Sequence, residues 1–136
     1  MNTTYFKNLI MGNVFKTDTS TSLPTNYYIG LSSTAPTAAG GNVTEPSGSG
    51  TAYARVRLTS LTEPDGGVIT NASAISFPES TATWFSSANP ATHYVIYDAA
   101  TGGNLLMYNT LTASRVIEVN TIATIKASSL YLQLTD

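Results

Sequence analysis

Beginning at Tyr27, apolar and polar positions alternate with a period of two: Tyr27, Ile29 and Leu31 share one face, and Tyr28, Gly30 and Ser32 the other. That repeat predicts a half-buried strand. Val56 and Leu58 alternate in the same way against Tyr53, Arg55 and Arg57, and residues 68–70 and 75–77 form shorter candidates divided by Asn71 and Ser73 and closed by Pro78. Residues 94–97 and 105–108 are apolar on both faces, the pattern of central strands covered on both sides. Between them lies Asp98-Ala99-Ala100-Thr101-Gly102-Gly103, whose Asp and paired Gly predict a short antiparallel connection. Residues 115–119, 122–126 and 130–134 complete the series, the last with Leu130, Leu132 and Leu134 on one face.

Ahead of these strands the period changes. Tyr5 and Leu9, and Phe6 and Ile10, stand four residues apart after Thr3 and Thr4, a spacing that predicts about two to three turns of helix ended by Gly12 or Asn13. So short a helix needs a surface to dock on. Two readings stand: it caps the core of its own domain, or Tyr5, Phe6, Leu9 and Ile10 dock on a neighbouring subunit or a larger assembly.

About eight or nine short strands with regular turn signals predict an all-β, single-domain antiparallel β-sandwich or jelly-roll-like fold with a short N-terminal helix. The domain is expected to span residues 1–136, with 1–16 as the helical docking segment and the Gly/Ser/Pro-rich 38–50 as a long surface loop. Composition agrees. Charged residues are 10% of the chain, against about 25% in typical domains, and Ser, Thr and Asn, which suit pleated surfaces and turns, carry the polar share.

A net charge of -2 offers no basic face for phosphates, so nucleic acid is not an expected partner. The absence of cysteine removes disulfides and thiolate metal sites and suits a reducing cytoplasm. Neither a signal peptide nor a membrane-length apolar run is visible, and a soluble protein is expected.

Candidates for chemistry are sparse. The acids are scattered, mostly beside Pro or Gly, and Glu63-Pro64-Asp65-Gly66-Gly67 reads as a turn rather than a calcium loop, since hard cations need several oxygen ligands. His93 is the sole histidine. It opens an apolar strand, and its readings are a structural strand-edge residue, a metal ligand shared among symmetry copies, or a catalytic base. No nucleophile elbow or phosphate loop is present, so no catalytic residue, metal or cofactor is expected. Trp84 and Phe85, with Asn89, lie in a Ser/Thr/Ala-rich loop that would either pack into the core or present a surface for stacking on sugar. Arg55 and Arg57 share a strand face with Tyr53, which favours a salt bridge or an interface contact over ligand capture.

The run Tyr27-Tyr28-Ile29-Gly30-Leu31-Ser32-Ser33-Thr34-Ala35-Pro36, then Thr44-Glu45-Pro46, Tyr53-Ala54-Arg55-Val56, Ile75-Ser76-Phe77-Pro78, the block at 92–106 and the end at 130–134 together resemble, in this order, a family of short phage tail-fibre-like virion proteins. The segment 85–91 is longer than the connection expected in relatives. The resemblance covers most of the chain and brings no catalytic or ligand residues with it. It implies a non-enzymatic virion structural protein, made in the host cytoplasm, whose partners are other virion proteins and further copies of itself, as a trimer. Such a protein would be a capsid decoration or a tail-fibre or tail-tip module. The rival expectation is a carbohydrate-binding module that recognises a host-surface glycan through Trp84, Phe85 and Asn89.

Overall fold

The computed structural model describes residues 1–16 and 22–134; residues 17–21 and 135–136, which the sequence places in the same domain, lie outside the described residues. Helix α1 spans Thr4–Phe15, and the strands are β1 (Tyr28–Ser32), β2 (Val56–Arg57), β3 (Val68–Thr70), β4 (Ile75–Ser76), β5 (Ala91–Tyr97), β6 (Leu105–Arg115), β7 (Thr124–Ile125) and β8 (Tyr131–Gln133). The fold is all-β and antiparallel, with one short N-terminal helix. A four-stranded sheet runs β2-β1-β5-β6, and two two-stranded ribbons, β3-β8 and β4-β7, form a second layer.

The alternation seen in the sequence decides what each layer buries. Ile29 and Leu31 of β1, with Tyr94 and Ile96 of β5, pack in the main core against Phe77, Trp84, Phe85, Ile117 and Leu130. The opposite face of β5 carries Val95 and Tyr97, which join Leu105, Tyr108 and Val43 in a smaller cluster. Residues 94–97 are therefore buried on both sides, as their unbroken apolar run predicts. On β6 the alternation is broken by a register shift at Ile96/Tyr97. This bulge sends the consecutive Leu106 and Met107 both into the main core, while Leu105 and Tyr108 serve the other face.

The segment before α1 is bound to the sheet. Thr3 N donates to Leu106 O at 2.9 Å and Tyr108 N to Met1 O at 2.9 Å, so residues 1–3 cover the outer edge of β6 where it begins. Fully buried Thr3 caps the helix: its Oγ1 accepts from Phe6 N at 3.2 Å and donates to Leu105 O at 2.7 Å. The helix runs past the predicted stop. Gly12 has open space where a Cβ would stand, and Asn13 Nδ2 donates back to Leu9 O at 2.8 Å, so neither residue breaks the ladder before Phe15.

Two buried polar side chains tie the layers together. Asn71 Nδ2 donates to Lys126 O at 2.8 Å and to Ser73 O at 3.0 Å, while its Oδ1 accepts from Leu130 N at 3.0 Å. Ser80 Oγ donates to Glu118 O at 2.5 Å and accepts from Thr121 N at 3.0 Å. Both are fully buried, and their bonding holds the largely irregular 116–129 segment, whose one strand is the two-residue β7, in place. Consequently residues 115–119, expected as a strand, are not one: β6 ends at Arg115, and Ile117 makes only an isolated bridge to Phe85.

Candidate functional site

Three arrangements stand out: a buried polar network, an exposed helix face and an apolar groove. The network gathers residues that are far apart in sequence. Gly30 lies on β1 where a Cβ would come within 2.5 Å of Glu45 Oε2 and 2.7 Å of Tyr53 Oη. The absence of a side chain there makes room for both groups to sit on the strand. Tyr53 Oη donates to Glu45 Oε2 at 2.5 Å and accepts from Leu31 N at 3.1 Å. Arg55 forks onto the same carboxylate, with Nη2 to Oε1 at 2.7 Å and Nε to Oε2 at 3.1 Å. Its Nη1 donates to Ala99 O at 2.9 Å and Gly102 O at 2.8 Å, and its guanidinium carbon lies 3.5 Å from the centroid of the Tyr97 ring.

The electrostatics follow from this packing. Burial, then the neighbouring Glu45 charge and hydrogen bond, pushes the Tyr53 hydroxyl far above the usual tyrosine range. Burial alone would lower Arg55, but the Glu45 hydrogen bonds and charge outweigh it and hold the guanidinium more firmly protonated. The carboxylate, hydroxyl and guanidinium groups here are all bonded to other parts of the fold. The arrangement fixes the 42–46 loop, β1, residues 53–55 and the β5–β6 hairpin to one another. The 38–50 loop is accordingly tethered: besides Glu45, Thr44 N donates to Ser32 Oγ at 3.0 Å and Ser33 N to Thr44 O at 3.1 Å.

The hairpin that receives Arg55 has the predicted chemistry. Asn104 N donates to Asp98 Oδ1 at 2.7 Å, and Gly103 takes φ 74° where a Cβ would meet Asp98 Oδ1 at 2.5 Å and Ala99 Cβ at 2.7 Å. Asp65 and Val68 exchange backbone hydrogen bonds at 3.0 and 3.1 Å around Gly66 and Gly67, a tight hairpin turn. Among the described residues no group of three or more acidic, His or Cys side chains is placed to hold a metal ion. His93 sits within β5, its Nδ1 2.8 Å from Thr92 Oγ1 and its Nε2 3.4 Å from Thr110 Oγ1, with burial lowering its pKa. Among the described residues its ring nitrogens meet only these two threonines, and no acid pairs with it.

Trp84 and Phe85 are buried, at 7% and 3% exposure. Trp84 Nε1 donates to Thr51 O at 2.7 Å, and the indole stands edge-on to Tyr53 at 5.1 Å and 87°. The expectation that this pair offers a surface for stacking on sugar is thereby corrected: their faces are spent on the core, and of the three residues only Asn89 is exposed.

Of the four helix residues singled out in the sequence, Leu9 is buried and Phe6 and Ile10 are half-buried, as in a helix that caps its own domain, while Tyr5 remains 40% exposed. The outward apolar face is instead Met11, Val14 and Phe15, 56%, 58% and 74% exposed. This face was overlooked because helix α1 is apolar nearly all round, and the spacing alone does not choose which stripe turns inward.

The groove lies at the other end of β6. Pairing with β5 runs to His93↔Thr110 and resumes only at Ala91↔Arg115, so residues 111–114 arch away from the sheet. A groove of about 850 Å³ opens between this arch and the β7 and β8 region, floored by Leu31, Phe77, Tyr94, Ile117 and Leu130 and bordered by Arg115 and Lys126.

The scaffold is a four-stranded sheet with two antiparallel ribbons, with the Glu45–Tyr53–Arg55 network bonded internally and Met11, Val14 and Phe15 exposed. The chain matches, over residues 1–133, the family described as podophage GP4 fiber I protein gp80. It is a member of that family of phage fibre proteins. No curated protein matches it. Membership brings a structural role in the virion and contacts with other virion proteins.

Proposed function

We propose that this protein is a non-enzymatic module of the phage tail fibre that works by being held between other virion components, with the outward face of α1 as one of its attachment surfaces. The observation that carries this reading is the exposure of Met11, Val14 and Phe15 on a helix whose opposite side is pinned to β6. Three large apolar side chains projecting from adjacent turns form the kind of patch that soluble chains keep for a partner. The tail is favoured over a capsid decoration by the fibre family itself, and self-association as a trimer through this face accords with the low charge of the chain.

Particle labelling tests the reading. Antibody-gold directed to this protein on intact virions is expected at the tail; labelling confined to the head would sink it. Replacing Met11 and Phe15 with Asp is expected to leave the isolated protein folded and to abolish its incorporation into particles.

A further inference from the structure

The groove beneath the β6 arch has no role in the function proposed above, yet its composition is specific. The core lies closed beneath it, with Leu130 1%, Phe77 3%, Leu31 4% and Ile117 4% exposed, so the apolar surface that it offers comes from the more exposed lining residues. Its border holds Arg115 and Lys126, two of the six basic residues of a chain with net charge -2, and no Asp or Glu lines it. Among the described residues the one ion pair is Arg55 with Glu45, so neither bordering cation has an acidic partner among those residues. Val116 and Tyr131, which also line the groove, are 45% and 55% exposed. A trough that presents Val116 and Tyr131 beside two cations calls for an occupant with the complementary pattern.

We infer that this groove is a socket for an extended apolar segment, carrying at least one carboxylate, from another protein of the virion. Two features favour a peptide. The covering of β6 by residues 1–3 reaches only Tyr108, and the bonding to β5 lapses between Thr110 and Arg115, which leaves main chain available for an added strand. Charge argues against the most accessible alternative, insertion of α1 from a second copy. That helix contains Lys7, ends at its C-cap Lys16 and holds no acid, so it would set cation against cation at Arg115 and Lys126. The geometry also suits a fibre. β6 is 11 residues long, roughly 35 Å; α1 is bound at its start and the groove lies at its end. A module interposed in a linear assembly needs two contact surfaces that are well separated, and these two are.

This socket rests on the virion role proposed above, and the test separates the two. A photo-crosslinking amino acid is placed at Thr112 in the groove and, as a control, at Ser49 on the distant 38–50 loop, and the tagged protein is expressed during infection so that particles assemble around it. Mass spectrometry of purified, irradiated virions is expected to find Thr112 joined to a peptide of a different virion protein, within a few residues of an Asp or Glu, with at least a tenfold lower yield from Ser49. The double variant R115E/K126E, whose fold is checked by circular dichroism, is expected to reduce that adduct at least tenfold. Adducts only to this chain would show that a second copy fills the groove, adducts to lipid would show an amphiphile, and particles containing the protein with no adduct would show an empty groove; each overturns the socket. Particles lacking the unsubstituted protein altogether would overturn the virion role instead.

Discussion

The two ends of the central sheet are built on opposite terms. Around Gly30, every group answers another group of the same chain: Glu45 is met by Tyr53 and both nitrogen arms of Arg55, and Arg55 by Tyr97 and two carbonyls. Around the β6 arch the reverse holds, with Arg115 and Lys126 bordering an open apolar trough and Val116, Val119 and Ile122 left 45%, 49% and 57% exposed. Low charge density sharpens the contrast. With so few ionisable groups, the chain devotes its one ion pair among the described residues to locking the loops and leaves two cations at a surface. Self-sufficiency at one end and incompleteness at the other is what a scaffold interposed between partners requires.

The comparison breaks most visibly at Glu45. Its side chain and that of Arg55 are 16% and 9% exposed, and truncating one member of such a pair strands the other charge, at a cost of about 3 kcal/mol or more. E45A is therefore expected to lower the thermal midpoint by several degrees, about 10 °C or more on the usual scaling for small domains, measured by calorimetry. Gly30→Ala comes next. Its Cβ would press on Glu45 and Tyr53 from 2.5 and 2.7 Å, and forcing these apart is expected to cost about 1–3 kcal/mol in denaturant unfolding.

The pH response is smaller and has two limbs. The Tyr53 hydroxyl is raised in the fold, so it stays protonated where the unfolded chain already ionises; stability is complete below the ordinary value of 10.0 and falls as pH rises through it. Tyr53→Phe is expected to flatten that alkaline loss in urea titrations, though Tyr94 and Tyr97, also raised by burial, preserve part of it. His93 behaves in the opposite sense. Burial lowers its pKa from 6.5, so the unfolded chain takes up the proton first, and stability declines slightly as pH falls below 6.5; His93→Gln is expected to remove that slope. The smallest effect belongs to the helix face: with both side chains exposed, M11D/F15D is expected to shift unfolding by no more than about 0.5 kcal/mol.

How much of this was legible in the sequence depended on whether a signal was local. The period of β1, the two-sided burial of residues 94–97 and the Asp-to-Gly hairpin are set by neighbouring residues, and they match the structure closely. The Gly30 network is not local. Glu45 stands in a Gly/Ser/Pro-rich stretch, and nothing in its own neighbourhood says that it folds under Arg55, although Gly30 at an otherwise alternating strand position hinted at a close approach. Trp84 stayed undecided for a similar reason: its polar surroundings suit a surface loop and its size suits the core, and the bond of its indole N–H to Thr51 O, which carries it into the core, is not a local signal. The groove was invisible, because it arises from a three-dimensional lapse in pairing along β6 rather than from any motif.

Hydroxyl-radical footprinting of the protein, free in solution and within purified virions, measures the contrast most directly. The account predicts strong protection in the particle at Met11 and Phe15 and at Val116 and Tyr131, with Tyr53 and Trp84 shielded equally in both states. Equal labelling of the helix face and groove in both states, or a Tyr53 that becomes reactive on assembly, would contradict it.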